Sequence, residues 1–133
     1  MSELGALYRD DVVRDGARWA PEEVCRRDFT GGSASTPTLG ANGTRAYLGD
    51  NVGALLAIDA ETCGVAWQVP LGSQIFGSVA ASSDGREIYA ATATGIFQVF
   101  DDGDVGRRGW TAVNDVYDTL TGYGGMNLVH DCV

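Results

Sequence analysis

The sequence predicts an all-β fold made of β-propeller blades, four-stranded antiparallel repeats of about 42 residues, in a ring that is incomplete. Three observations carry this. Gly43, Tyr47, Gly53, Asp59 and Gly64 each recur 42 positions later, as Gly85, Tyr89, Gly95, Asp101 and Gly106. Nineteen glycines stand against three prolines, a balance that suits strands joined by tight turns. The apolar runs are of strand length, and none shows a sustained helical period.

The elements follow in order. Residues 1–19 read as the second half of a blade, at an offset of 48: Gly5-Ala6-Leu7 matches Gly53-Ala54-Leu55, Asp11 matches Asp59, and Gly16 to Trp19 matches Gly64 to Trp67. Residues 20–34 read as a longer polar connecting loop, in which Pro21 is placed to start a brief helical turn. Residues 35–69 form a full blade. A first strand at 36–40 leads to the Asn42-Gly43 pair that tight hairpins prefer. A second strand at 45–49 places Ala46 and Leu48 on one face and Arg45 and Tyr47 on the other. Asp50-Asn51-Val52-Gly53 turns the chain into the apolar run 54–58, which is expected to be covered on both faces. A third turn at 59–64 precedes an outer strand carrying Trp67.

Residues 76–112 repeat this plan as a second full blade. Asp84-Gly85 stands in the hairpin position, Thr92-Ala93-Thr94-Gly95 forms the next turn, and Trp110 lies one residue later than the strict offset places it. Residues 113–133 read as a linker and the first strand of a further blade, because Gly125 to Val129 resembles Gly77 to Ala81. Residues 114–120 fit strand and irregular coil equally.

These residues resemble the pyrroloquinoline-quinone-like repeats of quinoprotein alcohol dehydrogenases and their non-catalytic relatives. The resemblance rests on Thr36-Pro37, Gly43, Tyr47-Leu48-Gly49-Asp50, Gly53 and the run Ala57-Ile58-Asp59-Ala60-Glu61-Thr62-Cys63-Gly64-Val65-Ala66-Trp67. It covers most of residues 1–112 and implies blades in which Trp packs against the neighbouring blade while Asp59 and Thr62 tie down the turn. Cys63 stands where the family has glycine, at a position that often needs positive φ. The chemistry alone supports the same roles. An Asp opening a tight turn accepts backbone N–H bonds two or three residues on, and a Trp eight residues later offers a large flat packing surface.

No catalytic, cofactor-binding or metal-binding residue is assigned from the sequence. Pyrroloquinoline quinone and calcium are expected only if the chain is part of a catalytic parent, since too few blades are present to enclose the quinone. The Asp101-Asp102-Gly103-Asp104 turn has calcium-attracting carboxylates but no following glutamate at ligand spacing, so it reads as a solvated turn. His130-Asp131-Cys132 are neighbours that alternate faces on a strand, which argues against a triad. Gly122-Tyr123-Gly124-Gly125 lacks the lysine of a phosphate loop. Asn42-Gly43-Thr44 fits a glycosylation acceptor, but the hairpin turn already explains its first two residues.

A net charge of −9 opposes nucleic-acid binding, and no apolar run reaches the length of a membrane span. The first ten residues lack the pattern of a signal peptide. Cys25, Cys63 and Cys132 are odd in number and widely spaced, so the expectation is three reduced thiols, which leans toward a reducing, cytoplasmic compartment and otherwise leaves the compartment open. Four blades, a small complete ring, would take about 170 residues at this repeat length, and the chain has 133. The expected function is therefore a non-catalytic binding or scaffold segment, a fragment of a larger propeller. Its expected partners are the missing blades or a second copy of the chain. The alternatives are part of a quinone-dependent oxidoreductase, or a propeller completed by oligomerisation.

Overall fold

The computed structural model describes residues 4–40 and 43–113. Every regular element among them is a β-strand. β1 (Leu4–Asp15) and β2 (Arg18–Thr30) form a long hairpin. β4 (Thr38–Leu39), β5 (Arg45–Gly49), β6 (Ala54–Asp59) and β7 (Val65–Pro70) make one up-and-down antiparallel sheet. β9 (Ala80–Ala81), β10 (Glu87–Thr92), β11 (Gly95–Asp101) and β12 (Gly106–Val113) make a second. β3 (Ser35–Thr36) pairs in parallel with β8 (Gly77–Ser78), so the strand entering one blade is tied to the strand entering the next.

The two sheets stack face to face. The alternation of each strand decides what lies between them: Tyr47, Leu55, Ala57, Trp67 and Val69 from the first blade meet Ile88, Ala90, Phe97 and Val99 from the second in one core. β6 is buried on both faces, as its continuous apolar run implies, with Leu55, Leu56, Ala57 and Ile58 all nearly inaccessible. Leu56, Ile58 and Cys63 face the other way, against Leu7 and Cys25 of the hairpin. The hairpin thus lies on the first blade's leading face.

Buried side chains close the β5–β6 and β10–β11 turns. Asp50 accepts backbone N–H bonds from Val52 at 3.0 Å and Ala54 at 2.7 Å, and Thr92, the residue 42 positions on, accepts one from Thr94 at 3.2 Å.

Two expectations change at the start of the chain. Residues 20–30, read as connecting loop, lie within β2, and Pro21 starts no helix there. The turn expected at Asp11 is absent: β1 runs straight through it and the chain reverses at Gly16 and Ala17 instead. Gly16, at φ 60°, supplies a two-residue turn five positions later, so β1 continues past Asp11, which faces Glu22 in the ladder; the register shifts at Arg9 and Asp10, where Val24 of β2 is the extra residue. The readings placed on Asn42 and on residues 114–133, including His130, Asp131 and Cys132, lie outside the described residues.

Candidate functional site

The densest polar constellation sits where the two blades meet, around Asp101. β11 ends there, and β5 and β7 bring three side chains of the preceding blade to the same carboxylate. Tyr47 Oη donates to Oδ2 at 2.6 Å, Trp67 Nε1 donates to Oδ1 at 3.0 Å, and Arg45 Nη1 reaches Oδ1 at 3.1 Å and Oδ2 at 3.2 Å. From its own turn, the Gly103 N–H donates to Oδ1 at 2.9 Å, and Arg45 also donates to the Gly103 carbonyl at 2.6 Å. The Asp101 side chain is only 8% exposed and that of Arg45 21%. Every lone pair that faces the protein is used.

The expectation of a solvated turn at Asp101 is corrected by this arrangement. The sequence placed the residue in a polar run, and the run is polar; the stacking of two blades is what removes its first carboxylate from water. Asp102 does face solvent, paired with Arg107 at 2.9 Å. Among the described residues no group of three or more His, Cys, Asp or Glu side chains is arranged to hold a metal ion.

Two opposing effects act on the acid. Burial pushes the Asp101 carboxyl upward, but the hydrogen bonds from Tyr47, Trp67 and Gly103 and the charge of Arg45 outweigh it and hold the group below the ordinary carboxylate range. Burial, and then the bond to Asp101, push the Tyr47 phenol well above its usual value, so it stays a donor throughout the neutral range. For a carboxyl whose folded pKa is depressed, the stabilisation is complete above the unfolded value and is lost as pH falls through the folded one. The melting temperature is therefore expected to drop as pH falls below about 4, and the drop is expected to be shallower in Asp101→Asn. Thermal melts followed by far-UV circular dichroism from pH 6 to pH 2.5 check this.

The other repeat positions divide between turn and joint. Asp59 Oδ1 accepts from the N–H groups of Glu61 at 2.9 Å and Thr62 at 2.8 Å and from Thr62 Oγ1 at 3.0 Å, and Thr62 Oγ1 in turn accepts from Gly64 N–H at 3.1 Å. Gly64 does not supply the positive φ of this turn; Cys63 does, at φ 57°. Gly43, Gly53 and Gly85 turn the chain with positive φ, and Gly95 opens β11. Gly106 serves a different end: a Cβ there would run into the ring of Trp67, so the missing side chain lets the tryptophan lie against β12. Trp67 is buried and its ring centroid lies 6.0 Å from that of Tyr47. Replacing it by phenylalanine keeps much of the apolar surface and deletes the Nε1 bond to a charged acceptor, at an expected cost of about 2 kcal/mol. Urea titration monitored by circular dichroism measures it.

Tyr89 and Trp110 reproduce the pair on the second blade, with centroids 5.9 Å apart, but Trp110 is half exposed and the Tyr89 hydroxyl donates within its own blade, to Glu87. Asp11 and Trp19 do not take the corresponding positions. Asp11 is exposed beside Arg9, and Trp19 is 68% exposed near the tip of the hairpin.

A disulfide joins Cys25 of β2 to Cys63, which corrects the expectation of reduced thiols. β2 turns Cys25 toward the blade, the left-handed backbone at Cys63 turns its side chain to meet it, and the Cα atoms are 5.7 Å apart. Two guanidinium groups clamp the same turn: Arg9 donates to the Ala60 carbonyl at 2.8 Å and Arg27 to the Cys63 carbonyl at 2.7 Å. No spacing in the sequence signals this pairing, because the hairpin that makes it departs from the repeat.

No family model and no curated protein sequence matches the chain. Among solved structures, it resembles the β-propeller protein BamB from Moraxella catarrhalis, with a TM-score of 0.62 and 22% identity. The match covers 69% of this chain and 28% of that one. The chain therefore spans little more than a quarter of the neighbour's length, and what the likeness shows is the fold: all-β, with propeller-type blades.

Proposed function

We propose that the chain is a non-catalytic binding or scaffold element, a segment of a larger propeller that presents blade faces and strand edges to further protein. The observation that carries this is the Asp101 joint. Its carboxylate is saturated by four donors from two blades, so it is organised for holding blades together, with no lone pair left for acid–base work. Trp110 offers the same aromatic surface on the second blade and is half exposed among the described residues. The 28% coverage of the neighbouring structure supports a segment of something longer. The Cys25–Cys63 disulfide supports an oxidising compartment in place of the cytoplasm.

Light scattering combined with thermal melts across a hundredfold range of protein concentration tests the reading. Association, or a broad melt that sharpens as concentration rises, is expected. A monomer with a sharp, concentration-independent transition would overturn the segment reading. Adding pyrroloquinoline quinone with calcium is expected to change neither the absorption spectrum nor the melting temperature; a saturable shift would instead support the oxidoreductase alternative.

A further inference from the structure

We infer that the free edge of β1, with the groove beside it, binds an extended polypeptide strand from a partner protein by strand addition. The inference rests on the binding-element reading and assigns it a place. Among the described residues β1 pairs with β2 alone, so its other edge offers unpaired backbone N–H and C=O groups. Among the described residues the full blades have four strands and the hairpin has two, and these leave the first blade's leading face only partly covered on the β1 side.

Two cavities mark the uncovered strip, and both run along β1. One, of about 540 Å³, lies between residues 7–10 and Pro37, Leu39 and Ala46. The other, of about 270 Å³, lies between residues 4–7 and Phe29, Pro37 and Leu48. They share Leu7 and Pro37 and so continue one another. Residues 4–10 of β1 extend for roughly 20 Å at strand rise, the length of a six-residue partner strand. The floor is apolar, and Leu39 is 65% exposed on it.

The chemistry of the occupant follows from the two walls. One face of the incoming strand meets Pro37, Leu39 and Ala46 and must be apolar, while the alternate side chains face water and are polar. The end of the larger cavity carries the carboxylates of Asp10, Asp59 and Glu61. The one guanidinium there, that of Arg9, is committed to the Ala60 carbonyl and Asp11. A strand running antiparallel to β1, as β2 does, brings its N-terminal end to those acids. The occupant is therefore an alternating apolar and polar strand with lysine or arginine near its start.

The test uses the full, oxidised chain and an acetylated ten-residue peptide that alternates valine and threonine and carries lysine at positions 1 and 3. Saturable binding is expected, with the amides of residues 4–9 slowed in hydrogen exchange. Leu39→Lys, a change at an exposed position, is expected to weaken binding at least tenfold. A peptide with glutamate in place of lysine is expected to bind about tenfold more weakly at low salt. Val105→Ala, an exposed position in the β11–β12 turn of the other blade, is expected to leave binding unchanged. No protection of β1, equal affinity in Leu39→Lys, or protection of β12 instead would each overturn the inference. Protection of β1 that grows with protein concentration in the absence of peptide would also overturn it, by assigning the groove to a second copy. These outcomes are separate from the association and melting behaviour that test the scaffold reading itself.

Discussion

Asp101→Ala is expected to destabilise the protein by about 3–5 kcal/mol, the cost of breaking a buried ion pair from one side. Three groups lose a charged acceptor together: the Tyr47 hydroxyl, left with a 3.3 Å bond to the Gly85 carbonyl, the Trp67 indole N–H and the Arg45 guanidinium. Arg45 is mostly withdrawn from water and keeps only the Gly103 carbonyl, on a turn that has itself lost the Asp101 cap. Asp101→Asn keeps an acceptor oxygen but not the charge, and is expected to fall between wild type and alanine. A double-mutant cycle with Tyr47→Phe separates the phenol's share: a coupling energy near zero would show that the blades are held by apolar packing and that the carboxylate only caps its turn. Urea unfolding provides the energies. A loss under about 1 kcal/mol in Asp101→Ala would contradict the joint.

Cys25→Ser is expected to cost about 4 kcal/mol, from closing a loop whose ends are 38 residues apart. Its effect is expected to be uneven. Among the described residues the buried apolar cluster between hairpin and blade is small, Leu7 and Cys25 against Leu56, Ile58 and Cys63, with two guanidinium bonds beside it. Residues 4–30 are therefore expected to exchange amide hydrogen much faster in the variant, while β10 and β11 keep their protection. A reducing agent added to the wild-type protein is expected to give the same pattern. Uniform loss of protection across both blades would instead make the hairpin part of one cooperative unit with them.

The blades were legible in the sequence because each repeat position answers a local need. Gly43 and Gly85 turn the chain, Asp59 and Thr62 close a turn within four residues, and the run 54–58 announces a strand covered on both sides. Tyr47 and Trp67 were legible as repeated aromatics, and inter-blade packing of the tryptophan followed from its surface. That both donate to Asp101 was not, because the bond spans two repeats and depends on how the sheets stack. The hairpin misled for the opposite reason. Asp11, Gly16 and Trp19 keep the spacing of the repeat, but a bulge between Arg9 and Asp10 and a turn at Gly16 override it. The disulfide follows from that departure, and a pattern of matching residues carries no trace of it.

The joint also bears on how such chains change length over generations. Its acceptor belongs to one repeat and its aromatic donors to the repeat before, so no single repeat holds a complete joint. The units are not interchangeable in this respect, because Glu87 stands 42 positions after Arg45 and takes the Tyr89 hydroxyl within its own blade, so only the first unit carries all three donors of the joint. A gain or loss of half a unit leaves a tyrosine, a tryptophan and an arginine facing nothing of the right charge.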